Sequence, residues 1–331
     1  GLTYREIEKD GFTIDKKVDI SLTSDTELAI SKSMGLGLIG FADVFSQLKP
    51  DLAVVLGDRF EIFSAVSVAM IAKIPVAHLH GGEATEGAID ESIRHSITKM
   101  SHLHFAATEE YRNRIIQLGE QPDKVFNVGG LGIDNINKLK LLSKADFENA
   151  INFELGEKNI LITFHPVTLE KATSGIQFQA LLDSISELRN TKIIFTKANS
   201  DTDGRVINSM IDDYVAKHDN TIAFTSMGQL NYLSALQFMD AVVGNSSSGL
   251  MEAPSFKIGT IDIGDRQKGR IKTDSVISCL PKKRNIDSAF NKLYSKEFQN
   301  ILDKVENPYG KGGASKEIVN LIKSVNLHNI I

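Results

Sequence analysis

The sequence predicts an α/β fold of two doubly wound parallel-sheet domains that face each other across a cleft. Three observations predict it. Short apolar runs alternate with helical patterns over residues 52–128 and again over 160–263, the signature of βαβ units with short connections. The stretch between them, 129–158, loses the strand signal and reads as the link. The length of 331 residues is also twice the ~100–150 usual for one domain.

In order along the chain, residues 1–50 read as an edge strand (17–20), a polar loop and an amphipathic helix through Leu38, Phe41, Val44, Phe45 and Leu48, closed by Pro50 and Asp51. Strands follow near 53–56, 75–80, 103–107 and 125–128, with helices near 60–73, 90–100 and 109–119. The helix at 60–73 is apolar nearly all round, which predicts that it is buried. In the second block, strands fall near 160–164, 192–197, 221–225, 240–244 and 259–263. Helices alternate with them near 175–189, 203–218, 228–239 and 248–256. Helical patterns at 296–305 and 315–325 close the chain, the last expected to cross back to the first domain. The expected domains are 1–140, completed by 313–331, and 141–312. The chain opens with GLTYREIEKDGF and offers no apolar strand before Val18, so a first strand–helix unit of at least ~30 residues is expected ahead of it.

Composition excludes several classes of function. Hydrophobic residues make up 42% and charged residues 24%, enough to bury a core. A net charge of −5 and no dense Lys/Arg run argue against nucleic acid or an anionic membrane as the partner. Cys279 is the single cysteine, which excludes an internal disulfide framework and fits a reducing compartment. No apolar run approaches the ~20 residues of a membrane span and no secretory signal is visible. The expected location is the cytoplasm.

Candidate chemistry collects where strands end, since ligands of open parallel sheets bind beyond the carboxyl ends of the strands. GDRFE at 57–61 turns from strand to helix. Asp58 supplies a carboxylate and Arg59 a fork suited to phosphate, or Asp58 simply caps the helix and Arg59 is a surface charge. HLHGGE at 78–83 ends the next strand. His78, His80, Glu83 and His95 could form a metal site, although zinc normally takes at least three protein ligands and HxH supplies two. The plainer alternative packs one histidine and leaves the other in the loop. Gly81 and Gly82 beside Glu83 favour close approach of backbone to a ligand. DESIRH at 90–95 puts Asp90 at a helix start, where capping or an Asp90–Arg94 pair would also account for it. Three carboxylates heading for one crevice (Asp58, Glu83, Asp90) suit general acid/base work.

In the second half, TFHP places His165 at a strand end. GNSSSGLMEA at 244–253 runs from a strand into a helix. Its serines and glycine offer N–H groups and hydroxyls to an anion, usually phosphate, or else make a well-capped helix. The stretch is neither a P-loop nor GxGxxG, so ATP and NAD are not the first expectation. Glu252 lies a turn further on, placed to accept from ribose hydroxyls, and IGDRQKGR brings Arg266 to the same end of the sheet.

Together GDRFEIFS, HGGE, IRHSITKMSHLH, FHPVT, GNSSSGL and GDRQKGR, in that order, resemble the hydrolysing UDP-N-acetylglucosamine 2-epimerases, most of all the sialic-acid-pathway branch. The resemblance covers nearly the whole chain. It implies a GT-B-like fold, two Rossmann-like domains with UDP in the cleft, and a metal-free reaction without NAD or any other cofactor. UDP leaves C1 as the C2 proton is removed, giving a 2-acetamidoglucal; water then adds with C2 inverted, yielding UDP and N-acetylmannosamine. It further implies catalytic roles for Asp58, Asp90 and His165, and UDP-holding roles for Arg59, Asn199, Ser246, Ser247, Gly249, Glu252 and Arg266. Many relatives carry a glutamate where this chain has His80, so either His80 or Glu83 takes that proton-transfer role. The family also begins with a strand and a Gly-Thr-Arg loop that touches the nucleotide, a piece absent from this sequence. The implied partner is a small-molecule UDP-sugar, with no nucleic acid and no membrane, and the implied assembly is a homodimer or homotetramer. Rival readings are the same reaction on UDP-2,4-diacetamido-2,4,6-trideoxyglucose, a GT-B glycosyltransferase and a non-catalytic UDP-sugar sensor.

Overall fold

The computed structural model describes residues 4–20, 27–85, 89–166, 173–198, 204–327 and 330. The chain divides into two compact units, one of residues 1–83, 89–127 and 318–331, the other of 84–88 and 128–317. Each is built on a parallel sheet.

In the first unit, α1 (Tyr4–Lys9) and α2 (Glu27–Leu48) precede β1 (Ala53–Leu56), α3 (Phe60–Ile71), β2 (Val76–Leu79), α4 (Asp90–Lys99), β3 (Leu103–Ala106), α5 (Glu109–Gln117) and β4 (Val125–Asn127). The strands lie in the order β1-β2-β3-β4, all parallel. Every residue of β2 and β3 is buried, as expected for strands covered on both faces. The core between α3, β2 and α4 is Val66, Ala69, Ile74, Val76 and Ile97. Thr108 starts α5 by accepting from the Tyr111 N–H at 3.3 Å, satisfying one of the open donors of the first turn.

Three expectations for this unit are corrected. Residues 17–20 form no strand. Their apolar side chains are taken by α2, where Val18 sits over Gly40 and Ile20 near Gly37. The apolar helix α3 is only half buried: Ser64, Ala65, Val66 and Ala69 face inward, while Met70 and Ile71 are exposed. It flanks β1, an edge strand in which Val54 and Leu56 are also exposed. Lastly, α2 is long and apolar enough, by length and composition alone, to cross a membrane, which the sequence reading did not register. Its buried stripe is Ala29, Ser33 and Gly37, and Ser64 Oγ of α3 donates to its Met34 carbonyl at 3.1 Å.

The second unit holds α6 (Leu131–Lys138), α7 (Lys144–Ile151), β5 (Lys158–Thr163), α8 (Ser174–Ile185), β6 (Thr191–Thr196), α9 (Gly204–Val215), β7 (Thr221–Phe224) and α10 (Gly228–Leu236). It continues with β8 (Ala241–Gly244), α11 (Ser248–Met251), β9 (Gly259–Ile263), β10 (Val276–Cys279), α12 (Lys283–Leu293), α13 (Lys296–Leu302) and the start of α14 (Ala314–Ser324), which from residue 318 belongs to the first unit. The sheet order is β10-β9-β8-β5-β6-β7. The winding reverses between β5 and β8, so the crevice at that switch point is the place for a ligand in this kind of sheet. One core, including Ile160, Ile162, Phe178, Ile193 and Phe290, fills one face; Leu161, Ile194, Leu236 and Val242 belong to a second on the other. Alternate residues of β5 and β6 thus serve the two cores, the two-sided burial that a period of two allows.

Strand β10 and helices α6, α7 and α12 lie outside the sequence reading. For α12 the signal was present, since Ile286, Ala289, Phe290 and Leu293 are its buried stripe at helical spacing, diluted by the charges of KRNIDSAFNKL. The expected helix at 248–256 is a single α-turn, α11, followed by a 3₁₀ turn at Ala253–Phe256. Pro254 ends it, because it has no N–H to continue the α pattern. Residues 128–140 belong to the second unit because they are stapled to its final loop. Gly130 N–H donates to the Tyr309 carbonyl at 2.7 Å. Asp134 accepts from the N–H groups of Gly313, Ala314 and Ser315 at 2.6, 3.0 and 2.8 Å and from Ser315 Oγ at 2.5 Å.

Burial pushes the Asp134 pKa up, but the hydrogen bonds from Ser315, Gly313 and Ala314 outweigh it and hold the carboxyl below the usual carboxylate range. The folded state therefore favours the ionised form. Its stabilisation is present above the unfolded carboxyl pKa and is lost as pH falls through the lower folded value. Replacing Asp134 by Ala is expected to lower stability at pH 7 by about 2 kcal/mol, the scale of a lost charge-assisted cap. Urea denaturation of both forms checks this, and the difference is expected to shrink once the pH drops below the carboxylate range.

Candidate active site

The first unit gathers its charged groups at the carboxyl ends of β1 and β2. Asp58, in the corner after β1, is not the cap of α3. That position is held by Arg59, with no side-chain capping bond. The Asp58 carboxylate instead accepts from Arg94 Nη2. Arg94 is a residue of α4 and only 2% exposed. Its Nη1 donates to the Glu83 carbonyl at 2.6 Å, so one buried guanidinium ties together the β1 corner, the loop after β2 and α4. A buried cation costs several kcal/mol unless well-placed acceptors surround it, and Arg94 has them. Arg59 is exposed, lying 3.5 Å from Glu61 and over the Phe60 ring.

His80 Nδ1 lies 2.9 Å from Glu83 Oε1. A carboxylate accepts, so Nδ1 carries the proton of this pair. The alternatives His80 and Glu83 are thus one linked unit. His80 also has φ +62°, a left-handed conformation costing about 1 kcal/mol or more, of a kind that clusters at functional sites. Asp90 is half-buried in the first turn of α4. The three acids therefore do not stand alone; Arg94, which sequence reasoning set aside as a routine helix partner, contacts two of the segments that carry them.

The glycines of HGGE serve the protein's own packing. A Cβ on Gly81 would stand 3.0 Å from His78 Nδ1, and one on Gly82, at φ +75°, 2.3 Å from the Tyr111 carbonyl. His78 is packed, fully buried on β2, while His80 opens the loop. The ring nitrogens of His78 face Gly57 and Thr98. His95 is 3.8 Å from Glu91, along α4. Among the described residues no group of three or more His, Cys, Asp or Glu could hold a metal ion.

In the second unit the switch point is organised by Asn245, a residue that sequence reasoning passed over. It is 1% exposed. Its Oδ1 accepts from the His165 N–H at 2.7 Å, and its Nδ2 donates to the His165 carbonyl at 2.8 Å. Its own carbonyl accepts from Arg266 Nη1 at 3.0 Å and from the buried Gln267 Nε2 at 2.7 Å. One residue thereby joins the loops after β5, β8 and β9, through its side-chain amide and its backbone carbonyl, bringing His165, Ser246, Ser247 and Arg266 to one end of the sheet. Ser246 and Ser247 are half-buried. Ser246 Oγ accepts from the Ser248 N–H at 3.3 Å, and Ser248 Oγ accepts from Tyr232 at 2.7 Å. Gly249 lets α11 press on β9, where a Cβ would stand 2.6 Å from Thr260 Cγ2. Glu252 closes α11 with its carboxylate against Gly132. Asn199 lies outside the described residues.

Comparison with known proteins gives this arrangement a family. Residues 2–323 match the family model described as UDP-N-acetylglucosamine 2-epimerase. The chain is 45% identical over its whole length to the GDP/UDP-N,N'-diacetylbacillosamine 2-epimerase (hydrolyzing) of Campylobacter jejuni, spanning 86% of that protein. It is 41% identical over 98% of its length to polysialic acid biosynthesis protein P7 of Escherichia coli, spanning 82% of it. In fold it is similar to the UDP-GlcNAc 2-epimerase of Neisseria meningitidis solved with UDP-GlcNAc, with a TM-score of 0.83 at 22% identity, covering 96% of this chain and 88% of that one. The chain belongs to the UDP-N-acetylglucosamine 2-epimerase family, the hydrolysing UDP-sugar 2-epimerases.

Two buried histidines on neighbouring strands, His78 and His104, are paired in register. Burial first of all lowers the pKa of each from 6.5 to about 4. Both are therefore neutral in the fold, whereas the unfolded chain takes up their protons below about pH 6.5. Stability is fully present above that pH and is lost as pH falls towards 4, by on the order of 2–3 kcal/mol for each at the acid end. Melting temperatures recorded from pH 7.5 down to pH 4.5 are expected to fall, and less steeply in His104→Gln.

Proposed function

We propose that this protein is a hydrolysing 2-epimerase of UDP-activated 2-acetamido sugars, releasing UDP and inverting C2 through a 2-acetamidoglucal. The observation that carries the reading is the linked set Asp58, Arg94, Glu83 and His80 at the ends of β1 and β2 in a chain of this family. Departure of the diphosphate builds positive charge at C1 and acidifies the hydrogen on C2. Carboxylates beside the ring stabilise that charge and move protons. Asp58 and Asp90 serve as acid/base groups. Glu83 holds the proton on His80 Nδ1, which presents Nε2 for the third transfer. His165 completes the catalytic set, and Ser246, Ser247, Gly249, Glu252 and Arg266, with Arg59 and Asn199, hold the nucleotide, Arg266 acting on the leaving diphosphate. The enzyme works in the cytoplasm.

Between the two candidate sugars, UDP-2,4-diacetamido-2,4,6-trideoxyglucose, which is UDP-N,N'-diacetylbacillosamine, is favoured. The relative named for it shares 45% identity over the full chain. UDP-N-acetylglucosamine, giving N-acetylmannosamine, is the second reading, favoured by the family description and by the motif order.

Incubation with each UDP-sugar in heavy water is expected to release UDP and a C2-inverted sugar carrying deuterium at C2, read by NMR. Unlabelled sugar of unchanged configuration would mean plain hydrolysis and end the epimerase reading. Asp58→Asn and Asp90→Asn are each expected to cut turnover by about 10²–10⁴ while UDP still binds. Calorimetric titration of UDP into Arg266→Ala is expected to show binding weakened about tenfold or more, the scale of one charge-assisted contact. Unchanged affinity would remove Arg266 from the nucleotide site.

A further inference from the structure

His78 is a buried, chemically capable side chain that the proposed reaction leaves unused. Its Nε2 lies 2.9 Å from the Gly57 carbonyl. A carbonyl only accepts, so Nε2 carries the ring's proton. Burial above all keeps the ring neutral, its pKa lowered to about 4. The Gly57 hydrogen bond and Asp58 act in the opposite sense, while the facing His104 and Arg94 act in the same one. Nδ1 is therefore the acceptor, 3.2 Å from Thr98 Oγ1. That hydroxyl is also 3.1 Å from the Arg94 carbonyl, so its one proton is shared between two acceptors. Gly57 immediately precedes Asp58, and Thr98 stands one turn beyond Arg94 on α4. A single imidazole thus reaches from the corner that carries the acid to the helix that carries its guanidinium.

We propose that His78 is the positioning residue of the Asp58–Arg94 pair, holding the Gly57–Asp58 corner through Nε2–H and α4 through Thr98. A histidine that merely filled the core would be replaceable by any side chain of similar volume. Here a donor is needed at the reach of Nε2 and an acceptor at the reach of Nδ1, in a slot that Gly81 leaves open by having no side chain. The consequence for turnover rests on the epimerase reading; the geometric role does not.

Three variants of the full chain separate these roles. Gln at position 78 keeps a donor at the distance of Nε2. Asn keeps a polar group only at the distance of Nδ1. Thr98→Val removes the hydroxyl at constant shape. With whichever UDP-sugar is turned over, His78→Asn is expected to lower kcat by about 30- to 100-fold with KM within about threefold, since a small misplacement of a reacting group costs on that order. His78→Gln is expected to recover kcat to within about fivefold of the parent, and Thr98→Val to lose about three- to tenfold. Equal kcat in the Asn and Gln variants, or losses that simply follow melting temperature, would overturn the proposal. Ring ¹⁵N shifts of His78 in the unmutated protein give a readout independent of turnover. They are expected to report the neutral Nε2–H tautomer from pH 5 to pH 8, and an Nδ1–H tautomer or titration near 6.5 would overturn the assignment. A parent chain that releases no UDP while showing that tautomer would defeat the reaction and leave the histidine's role standing.

Discussion

A guanidinium taken out of water is the constraint around which the first unit is arranged. Arg94 is almost wholly buried, and its fork points at the Asp58 carboxylate on one side and the Glu83 carbonyl on the other. A cation in that position is tolerable only while both acceptors stay put. The β1 corner, the loop after β2 and α4 are therefore held in one mutual geometry by the contacts of this buried guanidinium. Such an anchor fixes the Asp58 carboxylate in one position relative to the loop after β2.

The second unit meets a similar requirement with a neutral group. Asn245 uses its amide to clamp both backbone groups of His165, and its own carbonyl receives Arg266 and Gln267. The side-chain amide satisfies an N–H and a C=O at once and the backbone carbonyl takes two further donors, so one neutral residue joins three loops at the switch point. In the first unit the opposite holds, with acids set beside a permanent cation.

Glycine has a different meaning here from the one its neighbourhood suggests. In HGGE the two glycines look like room for a ligand, yet Gly81 makes space for the His78 ring and Gly82 lies against the Tyr111 carbonyl. Gly249, within a stretch rich in serine, brings α11 onto Thr260 of β9. In each case the missing side chain permits close contact between elements.

The alternation of buried strands and helices was written in the order of residues, because strands covered on both faces must be continuous apolar runs and helices must carry an apolar stripe. So were the polar groups that follow each strand, since chain order alone puts them at a carboxyl end. What lay beyond reach were partners distant in the chain and matched by direction: Arg94 with Asp58, 36 residues apart, and Asn245 with His165, 80 apart. Periodicity reports which face a residue occupies, not which group it meets there. Residues 17–20 looked like a strand by composition, but backbone pairing requires a neighbouring strand, and α2 offered only a groove at Gly37 and Gly40. Local sequence determined the elements and the kinds of chemistry at their ends. Tertiary structure alone decided which charge faces which, because the cost of burying a charge depends on the whole set of groups around it.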